Sequence, residues 1–264
     1  MIQGFDVSKY QDPSLFDWAQ AAASGCFLIA RASYGSAYPD PSFRAWAAKA
    51  REHKVTFGAY HFYRQTQSAE AQLATFERQL ESIGGLREGD LFPALDMEPN
   101  QANGDGPVNA KVWNAACDQM GDAWKERYGG CVLYMSSYFP DYLGAHKGAD
   151  GWKWMQEPNY YYWLAHYGRQ PGNPAVPCVR WHIHQHTGDA GPHSPMYAGA
   201  KLAIDQNVAT DIELLRIKPA QITVPQEGHR CVPNDETAAG FGIAADGAEL
   251  LAAGLRKLQG LSDG

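Results

Sequence analysis

The sequence predicts an α/β protein: an irregular (β/α) barrel of five β/α units followed by three strands, with a C-terminal tail that carries one helix. Three observations predict it. Strand-sized apolar runs alternate five times with stretches whose apolar residues recur at helical spacing, and a chain that repeats on this beat builds a parallel sheet. That many beats within 264 residues favour a closed barrel over an open sheet. After residue 137 three more strand-sized runs follow with Gly- and Pro-rich segments between them, so the barrel closes with strands joined by loops.

The elements follow in order. Ile2 to Val7 is a short strand, and Pro13 to Ser24 places Leu15, Phe16, Ala19 and Ala22 or Ala23 at helical spacing. Cys26 to Ser33 is a near-continuous apolar run with Arg31 embedded in it. Pro41 to His53 then puts Phe43, Trp46, Ala47 and Ala50 on one stripe. Val55 to Tyr63 is the third strand. Ser68 to Ile83 is the third helix, with Ser68 as N-cap and Gly84–Gly85 as its stop. Leu91 to Pro99 supplies the fourth strand, Asn109 to Tyr128 the fourth helix and Cys131 to Ser136 the fifth strand. Tyr160–Ala165, Arg180–His186 and Lys201–Asn207 are the last three. Residues 1–218 form the barrel, and 219–264 a linker and short helical tail. In that tail Ile222 to Glu236 is proline-broken, while Leu250, Leu251, Leu255 and Leu258 share one helical stripe. So short a helix is marginal alone, so its stripe is expected to bury on the barrel or against a second copy in a homodimer.

Composition narrows the partners. The net charge is −7, and no Lys/Arg cluster resembles a phosphate-tracking stripe, which argues against nucleic acid. No apolar stretch reaches the roughly 18 residues of a membrane span, so no membrane partner is expected. Fourteen Tyr, 8 Trp and 10 Phe are enough both for a core and for stacking on the apolar faces of sugars. The five cysteines are widely spaced, with no CxxC, and are expected as mostly reduced buried thiols. His182, His184 and His186 form a straight row on one strand face, awkward for tetrahedral zinc, so no metal or cofactor is expected.

In a barrel of this type the active site lies at the C-terminal ends of the strands. Those ends carry Asp6, Arg31, Tyr60 and His61, then Asp96 and Glu98, then Tyr134, Trp163, Gln185 and Asp205. Acids and aromatic rings converge there with a single Arg. On a strand, Asp96 and Glu98 project to one side, about 7 Å apart at Cα. In an enclosed site, an ionised Asp96 and apolar neighbours both keep a proton on Glu98, which makes a general acid.

The segments GFDVSKYQ (4–11), RASYG (31–35), GAYHFY (58–63), LDME (95–98) and IDQN (204–207) resemble, in order and spacing, the signatures of glycoside hydrolase family 25 muramidases. The resemblance covers roughly residues 2 to 217. It implies the five-unit barrel with three closing strands, and cleavage of the β-1,4 bond between N-acetylmuramic acid and N-acetylglucosamine in bacterial peptidoglycan. It implies Glu98 as catalytic acid with Asp6, Asp96 and Asp205 around it; the strand-end reading adds Arg31, Tyr60, His61, Tyr134, Trp163 and Gln185 as the expected substrate-binding residues. One departure is visible: the family often has Trp before the strand-seven Gln, where this chain has His184, with Trp181 as a substitute platform. Asp96 is then either a nucleophile or the group that orients the substrate's own 2-acetamido oxygen. The alternative from another class is a non-catalytic wall-binding barrel. The chain opens directly on IQGFDV with no signal-like segment, so synthesis in a host cytoplasm and action on the wall after release, as for a phage endolysin, is the expectation.

Overall fold

In the computed structural model the described residues are 1–98, 100, 104–107, 109–137, 158–175, 180–188 and 204–219. Strands β1 (Ile2–Val7), β2 (Phe27–Tyr34), β4 (Thr56–Phe62), β5 (Ala94–Asp96), β6 (Cys131–Ser136), β7 (Tyr160–Ala165), β8 (Ile183–Thr187) and β9 (Asp205–Ala209) hydrogen-bond side by side. A further β1–β2 pairing closes the ring into a barrel of eight strands. A two-residue strand β3 (Tyr38–Pro39), which the sequence did not announce, folds back on the end of β2.

The sequence-based expectation of a parallel sheet needs one correction. β9 runs antiparallel to both of its neighbours, β8 and β1. The strand therefore enters at the mouth, starting at Asp205 instead of ending near it. It covers Asp205–Ala209 where Lys201–Asn207 was expected, and β8 covers Ile183–Thr187 where Arg180–His186 was expected.

Alternation along each strand fills the interior in layers. Phe27, Ile29 and Arg31 share the inner face of β2, and the glycines opposite leave the necessary room. A Cβ on Gly4 would sit 2.4 Å from the Phe27 ring, and one on Gly58 would sit 3.1 Å from Leu91. The outer faces meet helices α2 (Phe43–Glu52) and α3 (Ala69–Glu81), and the short α1 (Trp18–Ala23) sets its Trp18 ring against Trp46 of α2. Asp17 caps α1, and Ser68 caps α3 by accepting from the Ala71 N–H. On α2 the predicted stripe Phe43, Trp46, Ala47 and Ala50 is buried against β2 and β4.

The expected helix from Asn109 to Tyr128 divides into α4 (Ala110–Ala116), a π turn (Cys117–Gly121) and α5 (Asp122–Tyr128), with Asn109 as its N-cap. The widened turn has an identifiable cause. The Tyr160 hydroxyl donates to the Cys117 carbonyl at 3.0 Å, and a Cβ on Gly121 would lie 2.6 Å from that hydroxyl, so Tyr160 wedges the turn open.

Cys26, Cys117 and Cys131 are buried and free, while Cys178 and Cys231 lie outside the described residues. The chain divides at Thr223, and the described residues all fall in the first unit. The predicted linker, the amphipathic helix and any dimer contact they make lie outside the described residues. Among the described residues no helix is long and apolar enough to cross a membrane.

Candidate active site

β5 is shorter than expected because Pro93 offers no N–H to the ladder; the strand starts at Ala94 and ends at Asp96. Glu98 therefore stands just past the strand, outside the alternation of the ladder. Met97 fixes that exit: its N–H donates to the Tyr134 carbonyl at 2.9 Å, and its side chain is fully buried with Sδ 3.5 Å from Cys117 Sγ. Asp96 and Glu98 still face the same space.

That space is a cavity of about 170 Å³ at the barrel mouth. Asp6, Arg31, Tyr60, Asp96, Glu98, Tyr134, Trp163, Gln185 and Asp205 all line it, together with Ser8, Tyr10, Gln11 and Phe62. Asp205 reaches it because the antiparallel β9 begins at the mouth, paired with Asp6 of β1. Four carboxyl groups thus surround one opening, and Arg31 is the one cation among its described lining residues.

His61 does not belong there, which corrects the expectation that it contacts substrate. Tyr60 and Phe62 take the inner face of β4, so His61 between them points outward under α3 and is 0% exposed. Ser33 Oγ lies 2.8 Å from its Nδ1, Gln72 Oε1 lies 3.1 Å from its Nε2, and the Phe76 ring packs edge-on at 6.1 Å. Gln72 also accepts from the Arg64 N–H and donates to the carbonyls of Arg64 and Gln67. Burial lowers the His61 pKa to about 4, so the ring is neutral. Its work is to join β2, β4 and α3.

His184 shows the same alternation. Gln185 faces the cavity, so position 184 faces away from it. The His184 Nδ1 accepts from the Gly172 N–H at 3.1 Å, and Nε2 lies 3.0 Å from the His166 carbonyl. Trp181 packs edge-on to His184 and does not line the cavity, so it is no substitute platform at this opening. Of the other two histidines in the row, His182 accepts from the Tyr162 N–H.

Inside the cavity an amide network holds Asp6. Its Oδ2 accepts from Gln185 Nε2 at 2.8 Å and from Asn207 Nδ2 at 2.7 Å. Trp163 Nε1 donates to Asn207 Oδ1 at 2.7 Å, and the hydroxyls of Tyr134 and Tyr167 both donate to Gln185 Oε1. Trp163 is flanked by the rings of Tyr134 and Tyr60, at 4.6 and 6.2 Å. Asn207 and Tyr167 are the residues that sequence reasoning missed. Asn207 lies two residues after Asp205 and so shares its face, a signal present in IDQN. Tyr167 follows β7 in a turn, where no periodicity marks it.

The carboxyls themselves are under strain of charge. Asp96 is buried, and its Oδ1 finds no hydrogen-bond partner among the described residues. Burial raises its pKa well above the ordinary carboxyl range, and Glu98, Asp6 and Asp205 push the same way, while Arg31 pulls it down. Glu98 is partly exposed at the surface; burial of its carboxyl raises its pKa, and hydrogen bonding with the Tyr134 hydroxyl, which Glu98 shares with Gln185, works against that. Two neighbouring raised acids titrate as a pair, so they hold a proton at a pH where ordinary carboxyls have lost theirs.

Acids and aromatic rings thus line one mouth of a β/α barrel around a single cation. The chain is a member of glycosyl hydrolases family 25, whose sequence model matches residues 5–192. The chain is 28% identical over 204 residues to the Escherichia coli O6:H1 protein YegX, a match covering 70% of this chain and 63% of that one. The matched part thus spans less than two thirds of the relative's length. The N,O-diacetylmuramidase of Chalaropsis sp. is 28% identical over 130 residues, covering 48% of this chain and 60% of that protein. Among solved structures, the bacterial lysozyme from Streptomyces coelicolor superposes with a TM-score of 0.63 at 22% identity, covering 84% of this chain and 94% of that one, a likeness of fold.

Proposed function

We propose that the protein is a peptidoglycan hydrolase, an N-acetylmuramidase (lysozyme) that cuts the β-1,4 bond between N-acetylmuramic acid and N-acetylglucosamine. The observation that carries this reading is the pair Asp96 and Glu98, two acids of raised pKa facing one cavity. Family membership and the similarity to a named muramidase support it.

Glycoside hydrolysis needs a carboxylic acid at the leaving oxygen and an electron-rich group at the anomeric carbon. Glu98, nearer the solvent, protonates the glycosidic oxygen, and the leaving sugar departs with that proton on its hydroxyl. Asp96, on the cavity floor and ionised when the one proton the pair holds sits on Glu98, either bonds to the anomeric carbon or holds the substrate's 2-acetamido group so that its carbonyl oxygen does so. Water then adds to that carbon and returns a proton to Glu98. Asp6 and Asp205 supply negative potential to the oxocarbenium-like transition state, and Tyr60, Tyr134 and Trp163 wall the sugar. Mass spectrometry of the products from purified peptidoglycan tests the assignment. New reducing ends on N-acetylmuramic acid are expected; reducing N-acetylglucosamine ends, or freed stem peptides, would overturn it.

A further inference from the structure

Arg31 presents a problem that the reaction alone does not solve. It lines a cavity with four carboxyl groups, and a guanidinium free to swing would form a bidentate pair with one of them. A contact of that kind lowers a carboxyl pKa by about 1–3 units. The proton that Asp96 and Glu98 hold between them would then be lost.

The structure shows a second claim on Arg31. Asp40 follows β3, the short return strand, and its Oδ2 lies 2.8 Å from Arg31 Nε. The same oxygen accepts from the Lys9 N–H at 3.0 Å, Oδ1 accepts from the Ser42 N–H at 2.9 Å, and the Asp40 N–H donates to the Ala32 carbonyl. The carboxylate is therefore pinned from three elements, and its side chain is 1% exposed. Tyr10 lies with its ring centroid 5.5 Å from the Arg31 guanidinium, on the loop that Asp40 holds through Lys9. Tyr60 and Tyr34 complete the titratable groups around Arg31. Asp96 in turn faces Glu98, Asp6, Asp205, Arg31, Tyr60 and Tyr134.

We propose that Asp40 is a positioning residue for the active site: it holds Arg31 by Nε and offsets its charge, so that the cavity's cation does not pair with Asp96 and its neighbours. This rests on the glycosidase reading for its effect on turnover, but not for its effect on the carboxyls. Burial by itself would lower the Arg31 pKa; the fields of Tyr60 and Asp40 outweigh it and leave the guanidinium charged, so the cation is always present to be managed.

The proposal predicts opposite signs for the two halves of one ion pair. Asp40→Asn leaves Arg31 uncompensated, lowers the carboxyl pKa values and moves the alkaline limb of the pH–activity profile down, by about 0.5–1 pH unit, less than a direct contact gives. Arg31→Gln moves it up. Asp40→Glu restores the wild-type profile. The same variants are read without any turnover by ¹³C NMR titration of the Asp and Glu side-chain carboxyls, so absence of muramidase activity would sink the function and leave this inference standing. The inference is overturned if Asp40→Asn reduces turnover while profile and titration stay put, since Asp40 is then only a tether for Lys9 and Ser42. It is also overturned if Arg31→Gln shifts the carboxyls in the same direction as Asp40→Asn. Should Asp40→Asn fail to fold, Arg31→Gln decides: an unmoved carboxyl titration in that variant refutes the proposal.

Discussion

Two buried polar clusters lie on opposite faces of the same wall of the barrel, and they are built by opposite rules. On the outer face His61, Ser33 and Gln72 satisfy one another and the Arg64 backbone. On the inner face Asp96 keeps an oxygen without a partner among the described residues, beside three more carboxyls. Burial acts on both, lowering the pKa of the His61 base and raising that of the Asp96 acid. In the first cluster every group has a partner, which is what a structural knot needs. In the second, like charges are held together at a cost that only a task at that place accounts for.

The sharpest way to break the comparison is to remove one member of each cluster. Glu98→Gln should lower turnover on purified peptidoglycan by about 10²–10⁴-fold, the usual contribution of a general acid, while the melting temperature holds or rises. Wild-type turnover from this variant would place the acid elsewhere. His61→Ala should do the reverse. It opens a cavity and strands Ser33 and Gln72, which should cost about 2–4 kcal/mol in denaturant unfolding, with turnover per folded molecule preserved at a permissive temperature. If His61→Ala instead abolished turnover in folded protein, the division between the faces would fail.

Acidity separates the clusters a second time. A base whose folded pKa is depressed contributes fully above its unfolded pKa of 6.5, and that contribution is lost as the pH falls toward about 4. For His61 this is at most about 3 kcal/mol. A carboxyl whose folded pKa is raised behaves in the opposite sense: its contribution is present below the unfolded value and lost as the pH rises through the folded one. Stability curves should therefore diverge. The penalty of His61→Gln should shrink from pH 7 to pH 4, while Asp96→Asn should gain on the wild type as the pH rises. Parallel curves for the two variants would mean that one of these groups is not buried as the geometry has it.

The sequence was most legible where one period governs a long run. The stripe on α2, the N-cap at Ser68, and the strands β6 and β7 at Cys131–Ser136 and Tyr160–Ala165 fall where spacing alone put them. It was less legible where a neighbour decides. The direction of β9 shows only in its antiparallel pairing with β1, at the other end of the chain, and with β8, and the π turn depends on Tyr160, 43 residues away from Cys117. The candidate site shows the same limit at the scale of one residue. A strand end identifies which residues are near the mouth, but alternation decides which of two neighbours faces it, and His61 beside Tyr60 went to the other side. Nothing in the sequence marks Asp40, whose carboxylate also closes a turn on the Ser42 N–H ahead of α2. Its bond to Arg31 exists because β3 folds back.

The smallest expected effect concerns Tyr167, where the inner cluster borrows the outer cluster's rule. Tyr167 is 53% exposed, and its hydroxyl donates at 2.7 Å to the same Gln185 oxygen that Tyr134 reaches at 2.8 Å. Gln185 in turn donates to Asp6. Removing the Tyr167 hydroxyl leaves that oxygen with one donor, so Gln185 keeps its orientation and Asp6 keeps both amides. A neutral hydrogen bond with a solvent-accessible end is worth about 0.5–1.5 kcal/mol, and a redundant one belongs at the low end. Tyr167→Phe should then change kcat/KM on soluble muropeptides by less than about threefold, with the change in KM. Tyr134→Phe should cost more, because the Tyr134 hydroxyl also reaches Glu98. Equal losses from the two variants would mean that Tyr167 touches the substrate itself, and that the mouth of the barrel extends over the turn after β7.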